Sequence, residues 1–226
     1  MSLKNRIEIV YEDNHILAVV KPPNMLTQSD STGDEDLLTA LKEDIKIRYN
    51  KPGNVFLGLV HRLDRPVGGI MVFAKTSKAA SRLSEQIRAR SFDKSYVAVV
   101  HDVPEQASAT LVHYLAKNEA TNTVSVVKSA DLGKMASMEY VVKSSKDGLS
   151  LLQIKLHTGR SHQIRVQLAA IGHPLYGDQK YGKTLNKPGM QLALWSVEIG
   201  LLHPTTKEQM SFTSMPQKVY PWNMFE

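Results

Sequence analysis

Short runs of Val, Ile and Leu, broken by Gly, Asn or Pro, recur along the whole chain, a pattern of many strands joined by tight connections. Candidate strands fall at 7–11, 15–20, 55–61, 70–74, 96–100, 123–127, 138–142, 149–156, 191–197 and 209–213. Several alternate with period two: Leu152, Ile154 and Leu156 are separated by Gln153 and Lys155, as in a sheet with one buried face. Three segments read as helices. Residues 34–49 open with Asp34, Glu35 and Asp36 and close on Lys46 and Arg48, matching the helix dipole, while Leu37, Leu41 and Ile45 recur every four residues. Residues 77–90 offer Ser77 as an N-cap and put Ala80, Leu83 and Ile87 on one face, away from Arg82, Glu85 and Arg88. Residues 161–171 offer Ser161 as a cap, a stripe of Ile164, Leu168 and Ile171, and Gly172 where a left-handed residue is wanted. Many strands and few helices, in no strict alternation, predict an α+β fold with a mixed or antiparallel sheet. No repeat, low-complexity tract or linker interrupts the chain, so residues 1–226 read as one domain.

Composition narrows the chemistry. With 42% hydrophobic and 22% charged residues the chain is an ordinary globular one, long enough to bury a sizeable core. Its net charge of +6 favours a polyanionic partner such as nucleic acid, although a generally basic protein carries the same signature. The absence of cysteine excludes disulfides, thiolate nucleophiles and Cys-ligated zinc, including the zinc of base deaminases. His113, His157 and His203 show no metal-ligand spacing, and Trp195 and Trp222 read as packing residues. No stretch approaches the roughly 18–20 apolar residues that span a bilayer, and no apolar run follows a basic start, so a cytoplasmic protein is expected.

Two segments concentrate reactive side chains. Leu59-Val60-His61-Arg62-Leu63-Asp64-Arg65-Pro66-Val67-Gly68-Gly69 lies between two apolar runs and carries four ionisable groups on a loop stiffened by Pro and loosened by Gly. Flanking arginines favour an ionised Asp64, either for chemistry or merely for pairing in a solvated turn. In Leu156-His157-Thr158-Gly159-Arg160-Ser161-His162-Gln163-Ile164-Arg165 a strand ends and a helix opens. Such a helix start can hold a phosphate or carboxylate. Arg165 stands beside the apolar stripe and can reach toward a carboxylate; alternatively Arg160, His162 and Arg165 form a solvated face.

Taken together, the His-Arg-Leu-Asp-Arg run and the later Thr-Gly-Arg-Ser-His-Gln-Ile-Arg run closely resemble those of the RluA-type pseudouridine synthases. Glu12-Asp13 with Lys21-Pro22, Lys94-Ser95-Tyr96-Val97-Ala98, and Gly172-His173-Pro174-Leu175-Tyr176-Gly177-Asp178 with Tyr181-Gly182 are similar to further family motifs, in the same order. The resemblance spans about residues 7–213. It implies a central, mainly antiparallel mixed sheet split by a catalytic cleft and flanked by helices. It also implies that Asp64 is the catalytic carboxylate, that Tyr96 packs on the target base and that Arg165 pairs with the carboxylate. Arg62 matches the residue that fills the gap left by the extruded base, and His61, Arg65, Arg160 and His162 are expected RNA contacts. Neither cofactor nor metal is expected, in keeping with the lack of a P-loop or GxGxxG turn. The implied partner is a ribosomal or transfer RNA stem-loop, met by a monomer with no obligate protein partner and no membrane.

The reaction implied detaches uracil from C1′, turns it and rejoins it through C5. A carboxylate can add to the ribose, add to the base or remove a ribose proton, and all three roles stay open for Asp64. Extruding the base costs a few kcal/mol, of which an aromatic ring returns about 1–3 kcal/mol by stacking. Two departures from the family pattern stand out. The loop reads Arg65-Pro66-Val67-Gly68-Gly69 where the family has Arg-x-Thr-Ser-Gly, losing two hydroxyls. The resemblance also begins almost at the first residue, without the small RNA-binding domain many members carry, so RNA recognition is expected to rest on the catalytic domain. Two rivals remain at this point: an RNA-binding or ribosome-assembly factor that lost the chemistry, and a glycosylase that releases free uracil.

Overall fold

The computed structural model describes residues 7–225. In chain order the elements are β1 (Glu8–Glu12), β2 (Ile16–Lys21), α1 (Leu37–Arg48), β3 (Gly58–Leu59), β4 (Gly68–Ala74), α2 (Ser77–Arg88), β5 (Asp93–His101), β6 (Ser108–Asn118), β7 (Thr123–Val127), β8 (Lys134–Lys146), β9 (Leu149–Leu156), α3 (Gln163–Ala170), β10 (Leu194–Leu202), β11 (Gln209–Thr213) and a 3-10 turn at Trp222–Phe225. The described residues form two compact units: one holds residues 7–94 together with Ser196–Met215, the other holds Ser95–Trp195 and residues 216–225. Two of the three boundaries fall inside strands, β5 and β10, where no linker marks them in the sequence, and the third follows β11.

In the first unit the strand order is β1-β2-β4-β10, with β11 on β10 and β3 on β4. β1–β2, β2–β4 and β10–β11 are antiparallel. Ile16, Leu17, Ala18 and Val19 are all fully buried, so β2 is covered on both faces and reads as a continuous apolar run. The β1–β2 connection is closed by Asp13, whose Oδ1 accepts from the N–H groups of His15 and Ile16 at 2.7 Å each and whose Oδ2 meets His203 Nε2 at 2.9 Å. α2 packs Ala79 and Leu83 onto Ile16, Ile70, Val72, Phe92 and Ile199. Gly69 sits at φ +119°, and a Cβ there would lie 2.3 Å from the Ser196 carbonyl oxygen, so only glycine lets β4 and β10 approach.

The helices lie where the periodicity puts them, but begin differently. α1 starts at Leu37 because Asp36, in extended conformation, accepts from Thr39 N–H; Asp34 and Glu35 lie outside it. α2 is capped by Thr76, which accepts from Ala79 N–H, rather than by Ser77.

The second unit is a five-strand run, β5-β9-β8-β6-β7, antiparallel throughout. β6 has no counterpart among the candidate strands. α3 is buried all round from Gln163 to Leu168, more than the stripe of Ile164 and Leu168 suggests. Ser161 does not cap it. His162 takes the N-cap position in left-handed conformation, φ 52°, without a side-chain cap bond. The turn before it is held by Gln163, whose Oε1 accepts from Thr158 Oγ1 at 2.8 Å and Arg160 N–H at 3.0 Å, while Nε2 donates to the Ser137 carbonyl. Gly172 follows the helix at φ +87°, the left-handed residue its position calls for. The mixed, mainly antiparallel sheet with flanking helices is thus the architecture found. Among the described residues no helix is long and apolar enough to cross a membrane.

Candidate active site

The loop 60–67 joins β3 to β4 in the first unit, where Gly58 pairs with Ala74 and Leu59 with Phe73. Its apolar members face inward: Leu63 is 7% and Val67 2% exposed. Its arginines face out, and Asp64 lies between these extremes, half-buried. Three hydrogen bonds fix the loop backbone. Val67 N–H donates to the Asp64 carbonyl at 3.0 Å, Thr27 Oγ1 donates to the Leu63 carbonyl at 2.8 Å, and Lys21 Nζ donates to the Arg65 carbonyl at 3.1 Å. Asp64 is therefore held by a backbone anchored on both sides.

Lys21 is the residue at the loop that the sequence did not mark as a site. It is the last residue of β2 and is fully buried, and besides Arg65 its ammonium donates to the carbonyls of Pro22 at 3.0 Å and Met25 at 2.6 Å. Burial pushes its pKa down to about 7, against the pull of Asp64, which favours the ammonium, and with a smaller push from Arg65. The signal in the sequence was a lysine extending a fully apolar strand directly into Pro22.

This shift has a measurable consequence. From about pH 7 up to the ordinary lysine value of 10.5, the unfolded chain keeps a proton that folded Lys21 has given up. The native protein therefore gains stability relative to Lys21→Met as pH rises through that window, and the difference is flat below it. Denaturant unfolding of both proteins at several pH values checks this; a difference that stays constant with pH contradicts it.

Val67 replaces a threonine of the family pattern at a position without solvent. Val67→Thr is expected to lose about 1–3 kcal/mol of stability by burying a hydroxyl. Its single-turnover rate stays within roughly tenfold of the parent, about 1.4 kcal/mol in the barrier. A larger rate change would show that the loop's support passes through this side chain.

The expected RNA contacts differ in what they offer. Arg62 is exposed. Arg65 is 47% exposed and ion-paired with Asp34 at 2.7 Å, so a phosphate reaching it exchanges one anion for another. His61 is tied to the neighbouring strand: Nε2 accepts from Val72 N–H at 3.0 Å, and Nδ1 is buried without a partner. Burial, and secondarily Lys94, push its pKa down to about 3, so the ring is neutral and serves to hold the loop against β4.

In the second unit, Arg165 is 6% exposed and is no part of a solvated face. Its Nε and Nη2 form a two-pronged pair with Asp178 Oδ2 and Oδ1, both at 2.8 Å. Burial raises the Asp178 carboxyl, but the Arg165 guanidinium and the N–H groups of Lys180 and Tyr181 outweigh it, and the net shift is downward. The guanidinium also lies 5.1 Å from the Tyr181 ring centroid. Tyr181 Oη in turn meets His162 Nδ1 at 2.6 Å and accepts from Val124 N–H at 2.9 Å. His162 is thus tied into the unit, while Arg160 is exposed, with Nε donating to the Met135 carbonyl. Tyr96 is 6% exposed on β5, opposite Ile154 of β9. His113, His157 and His203 are bonded to Gln167, Glu139 and Asp13 respectively, and the described residues contain no group of three or more His, Asp or Glu able to hold a metal.

Comparison with known proteins agrees with this architecture. The solved structure of human RNA pseudouridylate synthase domain containing 4 superposes with a TM-score of 0.77 at 21% identity, covering 93% of this chain and 89% of that one, a likeness of fold. The ribosomal large subunit pseudouridine synthase D of Zymomonas mobilis is 32% identical over 222 residues, 93% of this chain and 70% of that protein. The enzyme of the same name from Pseudomonas aeruginosa is 33% identical over 231 residues, 96% of this chain and 70% of its own. The family description for RNA pseudouridylate synthase matches residues 15–170. The chain belongs to that family, of isomerases acting on RNA.

Proposed function

We propose that this protein isomerises a uridine of large-subunit ribosomal RNA to pseudouridine, with Asp64 as the reacting carboxylate. The observation that carries the reading is the loop 60–67: it presents a half-buried Asp64 between two exposed arginines from a backbone fastened by Lys21 and Thr27. The choice of large-subunit RNA rests on the relatives named above. In the reaction the N1–C1′ bond breaks and a C5–C1′ bond forms, C5 loses its proton and N1 gains one. A fixed carboxylate beside the sugar can drive the first step by adding to C1′ or to the base, or by taking a ribose proton. Tyr96 is the ring assigned to the extruded base, Arg165 the cation of the reaction centre, and Arg62 the side chain that replaces the base in its stack. Arg65, Arg160 and His162 are assigned to the surrounding RNA. These roles rest on the motif resemblance. The same reading implies a cytoplasmic monomer that needs neither metal nor cofactor.

Mapping pseudouridine by carbodiimide modification and primer extension on unmodified large-subunit ribosomal and transfer RNA transcripts tests the substrate. A stop in the ribosomal transcript alone is expected. A stop only in transfer RNA would move the substrate and keep the chemistry.

A further inference from the structure

We propose that Lys94 binds a backbone phosphate of the RNA beside the target nucleotide, an assignment that rests on the function proposed above. Lys94 is the second residue of β5, so strand alternation puts it on the same face as Tyr96, two residues on, and Phe92 comes just before the strand. Its side chain is half-buried, with Nζ 6.0 Å from the centroid of the buried Phe92 ring. His61, from the loop that carries Asp64, lies 5.5 Å from the same ring between centroids.

What sets Lys94 apart is the lack of a counter-charge. Among the described residues no carboxylate pairs with it, and burial pushes its pKa down. Other shielded cations are matched: Lys75 by Glu12, Arg48 by Glu12 and Asp44, Arg165 by Asp178, and Lys21 by three carbonyls. A desolvated ammonium without an anion costs free energy, and such a group is found where a ligand supplies the anion. His61, the other ionisable group at this ring, is neutral at physiological pH and supplies no counter-charge. The anion that an RNA isomerase brings to this position is a phosphodiester, since uracil itself carries no charge. Bound there, it restores the solvation that burial removed from the ammonium and fixes the register of the strand next to the nucleotide on Tyr96.

The test is a salt series of RNA binding by nitrocellulose filter retention, using an unmodified large-subunit ribosomal RNA transcript. Asp64→Asn serves as the silent parent, so that turnover does not interfere. Loss of one phosphate contact lowers the slope of log K against log salt by about 0.7–0.9. Lys94→Met and Lys94→Gln in that background are expected to show this drop and about tenfold weaker binding at low salt, whereas Lys94→Arg keeps the parent slope. Two substitutions of different polarity, each checked by circular dichroism, separate contact loss from misfolding. Parent slopes in both folded neutral variants would overturn the assignment. So would a slope lowered equally by Lys94→Arg. Pseudouridine formation by the native protein is scored separately: its absence, with a Lys94-dependent slope, would sink the isomerase and leave the phosphate site standing. Formation without that dependence would do the reverse.

Discussion

Asp178→Ala is expected to cost about 3–5 kcal/mol of stability, because it breaks the buried, two-pronged ion pair with Arg165. Both side chains are almost solvent-free, at 7% and 0% exposure, so water cannot take over. Two backbone N–H groups, of Lys180 and Tyr181, lose their acceptor in the same step. The damage reaches past the pair, since Tyr181 stacks near Arg165 and links His162 to Val124. Urea unfolding monitored by circular dichroism gives the number. The double variant Arg165→Met/Asp178→Leu should recover part of the loss, because it removes both charges of the pair while the N–H groups of Lys180 and Tyr181 stay without their acceptor. A single-variant loss below about 1 kcal/mol would mean that the pair behaves like a solvated surface bridge.

That pair shows where sequence reading stops. Arg165 and Asp178 are 13 residues apart in a chain full of acids and bases, and nothing local says that these two share a buried site. Local order was more legible. β7, β9 and β11 have the boundaries expected from their patterns, and Leu37, Leu41 and Ile45 of α1 are buried as their spacing requires. β6 was invisible for a physical reason: Leu115 alone of its 11 residues is buried, so no apolar face stands out against His113, Lys117 and Asn118. The caps failed more narrowly. Thr76 and Ser77 both carry a hydroxyl, and only the backbone angles decide which accepts from the helix. At the loop, the resemblance singled out Asp64 and its arginines, but not that Lys21 underpins them, because the expected strand ended one residue short of it. His61 stands in a run of charged residues, and nothing in that run says that its ring also fastens the loop to β4.

The largest effect of any single change is expected at Asp64. Asparagine there keeps shape and polarity but cannot add covalently or take a proton, so turnover should fall by about 10⁴-fold or more, the scale seen when an essential catalytic carboxylate is removed. RNA binding should change by only a few fold, since a carboxylate contributes no attraction to phosphate. The fold should hold, because the loop is fastened through the carbonyls of Asp64, Leu63 and Arg65 rather than through the Asp64 side chain alone. Loss of RNA binding in step with activity would instead make Asp64 a structural residue of the loop.

The most direct measurement of the whole account is tritium release from large-subunit ribosomal RNA transcripts labelled at uridine C5, run with the native protein and with Asp64→Ala. Joining C5 to the sugar expels that hydrogen, so the account predicts release by the native protein, none by the variant, and no free uracil from either. Release that survives in Asp64→Ala would contradict the central role given to this carboxylate, and free uracil without release would mean that the base is cut away rather than turned.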